Sequence, residues 1–258
     1  MPVHDDLGIR MKENYEKISR TKLMRRTPVA LRCDGKSFHT FTRGFKKPFD
    51  DILVKSMQET TKYLCKNIQG CVFGYTQSDE ITLILIDYQT LTTAAWFDYE
   101  VQKMCSIAAS MATMKFNKIF NDLAVDFALF ANEEQKEYSK KLLESVKNGA
   151  MFDCRAFNIP KEEVCNLIYW RQVDATRNSI QMVGRAYFSH KELEHKSCND
   201  IQDMLFEKFN VNWNDYPAYL KRGSACIKND NGWYIDKEMP ILKNEDRNYV
   251  DKLIYIND

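Results

Sequence analysis

The chain has 258 residues, 44% hydrophobic and 28% charged, with only nine glycines and six prolines, so it can bury a sizeable core and is neither collagen-like nor low-complexity. No run reaches the ~18 apolar residues of a membrane span, and residues 1–10 are polar and acidic rather than signal-like, which predicts a cytoplasmic protein with no membrane partner. Net charge is only +1, yet residues 10–47 carry twelve Lys or Arg against three acids, a basic region suited either to phosphates or to plain solvent.

Along the chain, Leu7, Met11, Tyr15, Ile18 and Leu23 fall near one helical stripe, which predicts an amphipathic basic helix over residues 7–23. Residues 29–33 read as a first strand stopped by Asp34-Gly35. After a loop closed by Pro48, residues 50–68 read as a helix capped by Asp50 or Asp51. Residues 71–75 and 81–86 are two β-prone runs joined by a polar turn, a hairpin. Residues 94–116 have the broad apolar face of a long helix, with Met104 and Met111 on it and Met114 read as core too.

The second half is less regular. It predicts a strand over 151–159, a helix over 161–184, a helix over 197–209 and a hairpin turning at residues 229–232. We expect residues 1–135 to form the catalytic region with its basic helix, and residues 136–258 an α+β region packed against it as one compact unit. Eight scattered cysteines without a Cys-x-x-Cys pair, and only four histidines, favour reduced thiols over disulfides or zinc.

Chemistry concentrates around three carboxylates. Asp34 ends the first strand, while Asp79 and Glu80 sit at the turn of the following hairpin, so adjacent strands would bring them to one edge of a sheet. Hard oxygen ligands beside a basic loop suit Mg²⁺, and two such ions ~4 Å apart could activate a hydroxyl and neutralise a triphosphate. The alternative is that both pairs are ordinary turn residues. Gly35-Lys36-Ser37 is no P-loop, because Ala30 stands where that motif needs glycine. The backbone amides of Gly35, Lys36, Ser37 and Phe38, with Lys47 and as an alternative Arg43, remain candidates for phosphate contacts, whereas solvated surface is the favoured reading for Arg43 and Lys46.

The runs Leu31-Arg32-Cys33-Asp34-Gly35-Lys36-Ser37-Phe38-His39, Lys47-Pro48-Phe49-Asp50 and Tyr75-Thr76-Gln77-Ser78-Asp79-Glu80 closely resemble the tRNA-His guanylyltransferase family. The likeness continues in Asp153-Cys154-Arg155, Trp170-Arg171-Gln172, Arg177-Asn178-Ser179, Phe209-Asn210-Val211-Asn212-Trp213-Asn214 and Lys221-Arg222-Gly223. This resemblance implies a 3′-5′ nucleotide polymerase of α+β class, with a polymerase-palm-like (ferredoxin-like) antiparallel sheet and helices packed on it. It also implies a homotetramer that takes tRNA and nucleoside triphosphates, with two Mg²⁺ ions and ATP or GTP as activating or added nucleotide. By the same resemblance, Asp34 and Asp79 are metal ligands, Gly35 a carbonyl ligand, and Glu80 and Ser78 supports of the metal or phosphate site. Lys36, Ser37, Phe38, His39, Lys47 and Asp50 surround the nucleotide, and Arg32, Asn178 and Asn212 match RNA-contacting positions.

One departure narrows the reading. Where guanosine-adding members carry His-Ile-Asn-Asn-Leu-Tyr-Asn, this chain has Thr176-Arg177-Asn178-Ser179-Ile180-Gln181-Met182, so only Asn178 is retained. This resembles the branch that repairs truncated tRNA 5′ ends under template control. The alternatives are guanosine addition to tRNA-His, a nucleotide cyclase, a noncatalytic tRNA-binding protein and, for this segment alone, a helix whose Ile180 merely packs. Trp170, Trp213, Tyr216 and Trp233 receive no role.

Overall fold

A computed structural model describes residues 5–256; the outermost ends of the two expected regions, residues 1–4 and 257–258, lie outside the described residues. The main elements are α1 (Asp6–Met11), β1 (Val29–Gly35), α2 (Phe38–Phe41), α3 (Asp51–Asn67), β2 (Cys71–Gln77), β3 (Glu80–Leu85), α4 (Val101–Phe130) and α5 (Lys136–Asn148). They continue with β4 (Phe152–Asn158), α6 (Lys161–Tyr187), α7 (His190–Leu193), α8 (Cys198–Phe209), α9 (Ala218–Arg222), β5 (Ser224–Asn229), β6 (Gly232–Asp236) and α10 (Asn248–Ile254). The six strands form one antiparallel sheet in the order β4-β1-β3-β2-β5-β6, the α+β architecture expected. Strands from before and after residue 135 pair within it, so the hydrogen-bonded ladder crosses that position.

Alternation along the strands divides the core between the two faces. Val29, Leu31 and Cys33 of β1 pack with Leu64 of α3 and Met104, Phe116 and Phe120 of α4. Ala30 and Ile84 point the other way, onto Val164 and Ile168 of α6 and Val250 and Ile254 of α10. A third cluster, Ile180, Val183, Ile201 and Leu205, joins the C-terminal half of α6 to α8. Asp50 caps α3 as expected, its carboxylate accepting the Leu53 amide at 3.0 Å.

Two helices depart from the periodicity. The stripe over residues 7–23 yields only the six residues of α1 and a π-helical turn (Lys12–Glu16), neither with a buried residue; Tyr15 and Ile18 are 66% and 76% exposed. A short helix without tertiary packing is marginal, and only Leu23 reaches the core. The helix expected from residue 94 begins at Val101, because Phe97, Asp98 and Tyr99 take left-handed backbone and break the run. It then outlasts residue 116, since Phe116, Phe120 and Ala124 keep one buried stripe at i, i+4 spacing. Met114 faces solvent rather than the core. All eight cysteines are free thiols, and no helix among the described residues is long and apolar enough to cross a membrane.

Candidate active site

The acidic end of the sheet is built by local necessity. β2 and β3 join through Ser78 and Asp79 alone, with Gln77 opposite Glu80, and Ser78 adopts φ 50° to close so short a turn. The Ser78 hydroxyl donates to Asp79 Oδ1 at 2.9 Å, and the Asp79 carbonyl accepts the Gly35 amide at 3.1 Å, which ties the turn to the end of β1. Gly35 has no room for a side chain: a Cβ there would stand 2.2 Å from the Phe38 ring, itself packed on Phe41, Phe116 and Phe152.

Asp34 and Asp79 are both pushed above the ordinary carboxylate range. For Asp34 burial is the main cause, with Glu80 and Asp153 adding repulsion while Arg32 and Arg155 oppose it. For Asp79 burial again leads; the Ser78 hydroxyl and backbone bonding pull down, and the Asp34 and Glu80 charges push up. Two half-buried, mutually repelling carboxylates are thus held together without an internal cation close enough to satisfy them, the nearest to Asp34 being Arg155 at 3.9 Å.

Glu80 stands in a different setting. It lies opposite Asp34 on β3, yet one oxygen accepts Arg32 Nη2 at 2.9 Å and the other is ion-paired with Arg171, a residue 3% exposed on α6. Gln77 also donates to Glu80 at 3.2 Å, and Arg171 reaches Asp174 at 3.0 Å. Among the described residues no three His, Cys, Asp or Glu side chains converge for a metal ion, so the expected triad is a pair plus a carboxylate committed to arginines.

Beside the pair opens a cavity of about 770 Å³, near the middle of the range for nucleotide-sized sites. Of the expected nucleotide residues, Gly35, Ser37, Phe38, His39, Lys47, Asp50 and Ser78 line it, as does Asp79. Lys36 does not; its amide bonds the Met151 carbonyl at 2.8 Å, and with the Gly35 amide also spent, the expected cradle of four amides shrinks to Ser37 and Phe38. Asp50 is buried and fully engaged, accepting from Tyr138 at 2.6 Å and from the Lys46 and Leu53 amides, so it shapes the wall. Arg32 belongs to the Glu80 network, Asn178 lines a smaller neighbouring cavity with Ser78 and Gln58, and Asn212 lies on neither wall, capping the turn at Trp213–Asp215.

The sequence reading missed Arg185 and Met182 of α6 as wall residues, and it favoured solvated surface for Arg43 and Lys46 although both line the cavity. No acid among the described residues pairs with Arg43, Lys47 or Arg185, so the wall presents free cations toward the carboxylates. A second space of about 420 Å³ continues past Lys47 and Arg185 to His190 and Lys196. Arg185 carried no local signal, because only the crossing of α6 over the sheet brings it to the loop before α3. Of the segment 176–182, Ser179 and Ile180 are buried; the Ser179 hydroxyl binds the Lys221 carbonyl and Trp213 Nε1, so packing explains those two residues.

Unsatisfied carboxylates beside a cation-lined cavity, at the open end of an antiparallel palm-like sheet, define a nucleotidyltransferase. The chain belongs to the tRNAHis guanylyltransferase family, whose model matches residues 9–160. It is 43% identical to a bacterial tRNA(His) guanylyltransferase-like protein solved with ATP, over 97% of this chain and all of that one, with a TM-score of 0.84. A structure of such a bacterial protein with GTP is 40% identical over 98% of this chain and all of that one, with a TM-score of 0.78. The tRNA(His) guanylyltransferase of Saccharomyces cerevisiae is 28% identical over 78% of this chain and 82% of its own length.

Proposed function

We propose that this chain repairs truncated tRNA 5′ ends by template-directed 3′-5′ nucleotide addition. A 5′-phosphate oxygen first attacks the α-phosphorus of ATP or GTP and releases pyrophosphate. The 3′-hydroxyl of an incoming triphosphate then attacks the activated 5′-phosphorus, releasing the nucleoside monophosphate. The observation that carries the nucleotidyl chemistry is the Asp34–Asp79 pair, both carboxyls raised, of which Asp79 lines a cavity together with Lys47, Arg43 and Arg185. That similar bacterial proteins form complexes with ATP and with GTP supports a nucleotide as substrate.

The donor set fits Mg²⁺, which typically takes one or two carboxylates and completes its shell with water and substrate phosphates. Asp34 and Asp79 would hold it, with the Gly35 carbonyl next in chain after Asp34 at the end of β1; when bound, the metal lowers the pKa of an attacking hydroxyl and offsets triphosphate charge. Lys47, Arg43 and Arg185 would neutralise and orient the phosphates, since positioning dominates phosphoryl chemistry. Glu80, held by Arg32 and Arg171, acts as a positioning residue for the β1–β3 edge.

The repair reading, rather than guanosine addition to tRNA-His, rests on the replaced segment 176–182. Incubating a 5′-monophosphorylated tRNA lacking one 5′ nucleotide with each triphosphate in turn tests it. Addition of whichever nucleotide pairs with the opposing base, changing when that base is changed, is expected. Guanosine addition regardless of that base, or a requirement for the tRNA-His anticodon, overturns it. The same reading carries a homotetramer, which sedimentation equilibrium at micromolar concentration tests.

A further inference from the structure

Trp170, on the α6 turn that crosses β1, is 52% exposed, whereas Arg171 beside it is 3% exposed. The Arg171 guanidinium lies 4.6 Å from the centre of the indole and that of Arg32 lies 5.7 Å away. Both cations are fixed from behind: Arg32 by Glu80, and Arg171 by Glu80 and Asp174. The buried Nε atoms of both arginines have no hydrogen-bond partner, as happens where a guanidinium packs against a ring instead of entering a polar cage. The indole is therefore immobilised yet left more than half open to solvent, a cost in apolar exposure that the Glu80 network alone does not require.

Its position bears on the substrate. Arg32 and Asp34 are two residues apart on β1 and share a face, their backbone positions roughly 7 Å apart, so the ring packs over the same face of the strand that carries Asp34. Trp170 is not on the wall of the 770 Å³ cavity; α6 reaches that wall only at Met182 and Arg185, roughly 18–22 Å further along its axis. A triphosphate seated in that cavity thus has its base elsewhere.

We propose that Trp170 is a stacking platform for a base of the RNA substrate at the end being extended. The inference rests on the proposed RNA-directed function. A pre-fixed aromatic face binds any base without reading its identity, which suits an enzyme whose choice of nucleotide comes from pairing.

The test uses the full chain with a 5′-monophosphorylated truncated tRNA. Trp170→Ala is expected to weaken RNA binding in a filter assay, and raise KM for RNA, by roughly 5- to 150-fold. It should leave KM for ATP in the activation step unchanged, and Trp170→Tyr should restore most of the RNA affinity. RNA titration should quench part of the tryptophan fluorescence of the wild type, a part absent in Trp170→Phe; this arm holds even if the alanine variant folds poorly. Unchanged RNA affinity in Trp170→Ala, quenching that persists in Trp170→Phe, or an equal loss in KM for ATP, which would make the triphosphate the source of the base, overturns the platform. Absence of any tRNA binding by the wild type instead removes the proposed function itself.

Discussion

Asp34 and Glu80 face one another on neighbouring strands, and their surroundings could hardly differ more. Glu80 is satisfied on both oxygens by Arg32 and Arg171, with Gln77 as a further donor. Asp34 has the exposed Arg155 at 3.9 Å and the more distant pull of Arg32, which Glu80 already engages, and it shares its end of the sheet with Asp79. A few ångströms of one sheet thus hold a finished ion network and an unfinished one. The finished network is satisfied within the chain; the unfinished one costs stability, a cost that the proposed metal ion and phosphates would offset.

The largest effect that separates the two regions is catalytic. Asp79→Asn, like Asp34→Asn, is expected to cut nucleotide addition by ~10²–10³-fold, the scale of losing one electrostatic stabiliser of the transition state. Thermal melting in EDTA should show either variant at least as stable as the wild type, since a repelling charge is gone. A folded Asp79→Asn variant with near-normal turnover would erase the distinction. On the other side, Arg171→Ala removes the buried cation shared by Glu80 and Asp174, leaving them only Arg32 and Arg177, and should lower the unfolding free energy in urea by ~3 kcal/mol. Glu80→Gln, which keeps the shape and some bonding, should lower it less.

A smaller effect sharpens the reading of the cavity. Lys47→Ala removes a free cation from its wall and should raise KM for ATP about tenfold, the worth of one charge-assisted contact, whereas Lys12→Ala on the exposed N-terminal turn should leave it unchanged. Equal effects in the two titrations would mean a diffuse basic field. The smallest effect is in pH. Because Asp34 and Asp79 are raised, their protonated forms favour the metal-free fold at low pH, and that contribution is lost as pH rises from the ordinary carboxylate range through the raised values. Metal-dependent turnover should run the opposite way over the same window, falling on acidification as the ligands take up protons. Melting curves in EDTA and rates at saturating Mg²⁺, both against pH, check the opposed signs.

How much of this was legible from residues alone depended on whether the cause was local. The strands at β1, β2 and β3, the Asp50 cap and the hairpin turn at Ser78 and Asp79 follow from alternation, capping and turn chemistry acting over a few residues. Those local rules sufficed to place Asp34 and Asp79 at one end of a sheet, and family resemblance supplied the chemistry.

The tertiary structure decided what required distant residues to meet. Glu80 and Asp34 are indistinguishable as acidic residues near turns, and Arg32 on the neighbouring strand with Arg171, 91 positions after Glu80 on another element, separates them. The apolar stripe of residues 7–23 is a good helix pattern, but a pattern becomes a packed helix only against a partner face, and no residue of α1 is buried. Gly35 and Lys36 looked like free amides until the Asp79 and Met151 carbonyls took them. Arg185 stands near the C-terminal end of α6 and Trp170 fifteen residues before it, and the path of that one helix over the sheet places the first at the cavity and the second over β1. Local sequence fixes which groups a segment offers; which of them remain unsatisfied is a property of the whole fold, because every pairing that satisfies one is made across it.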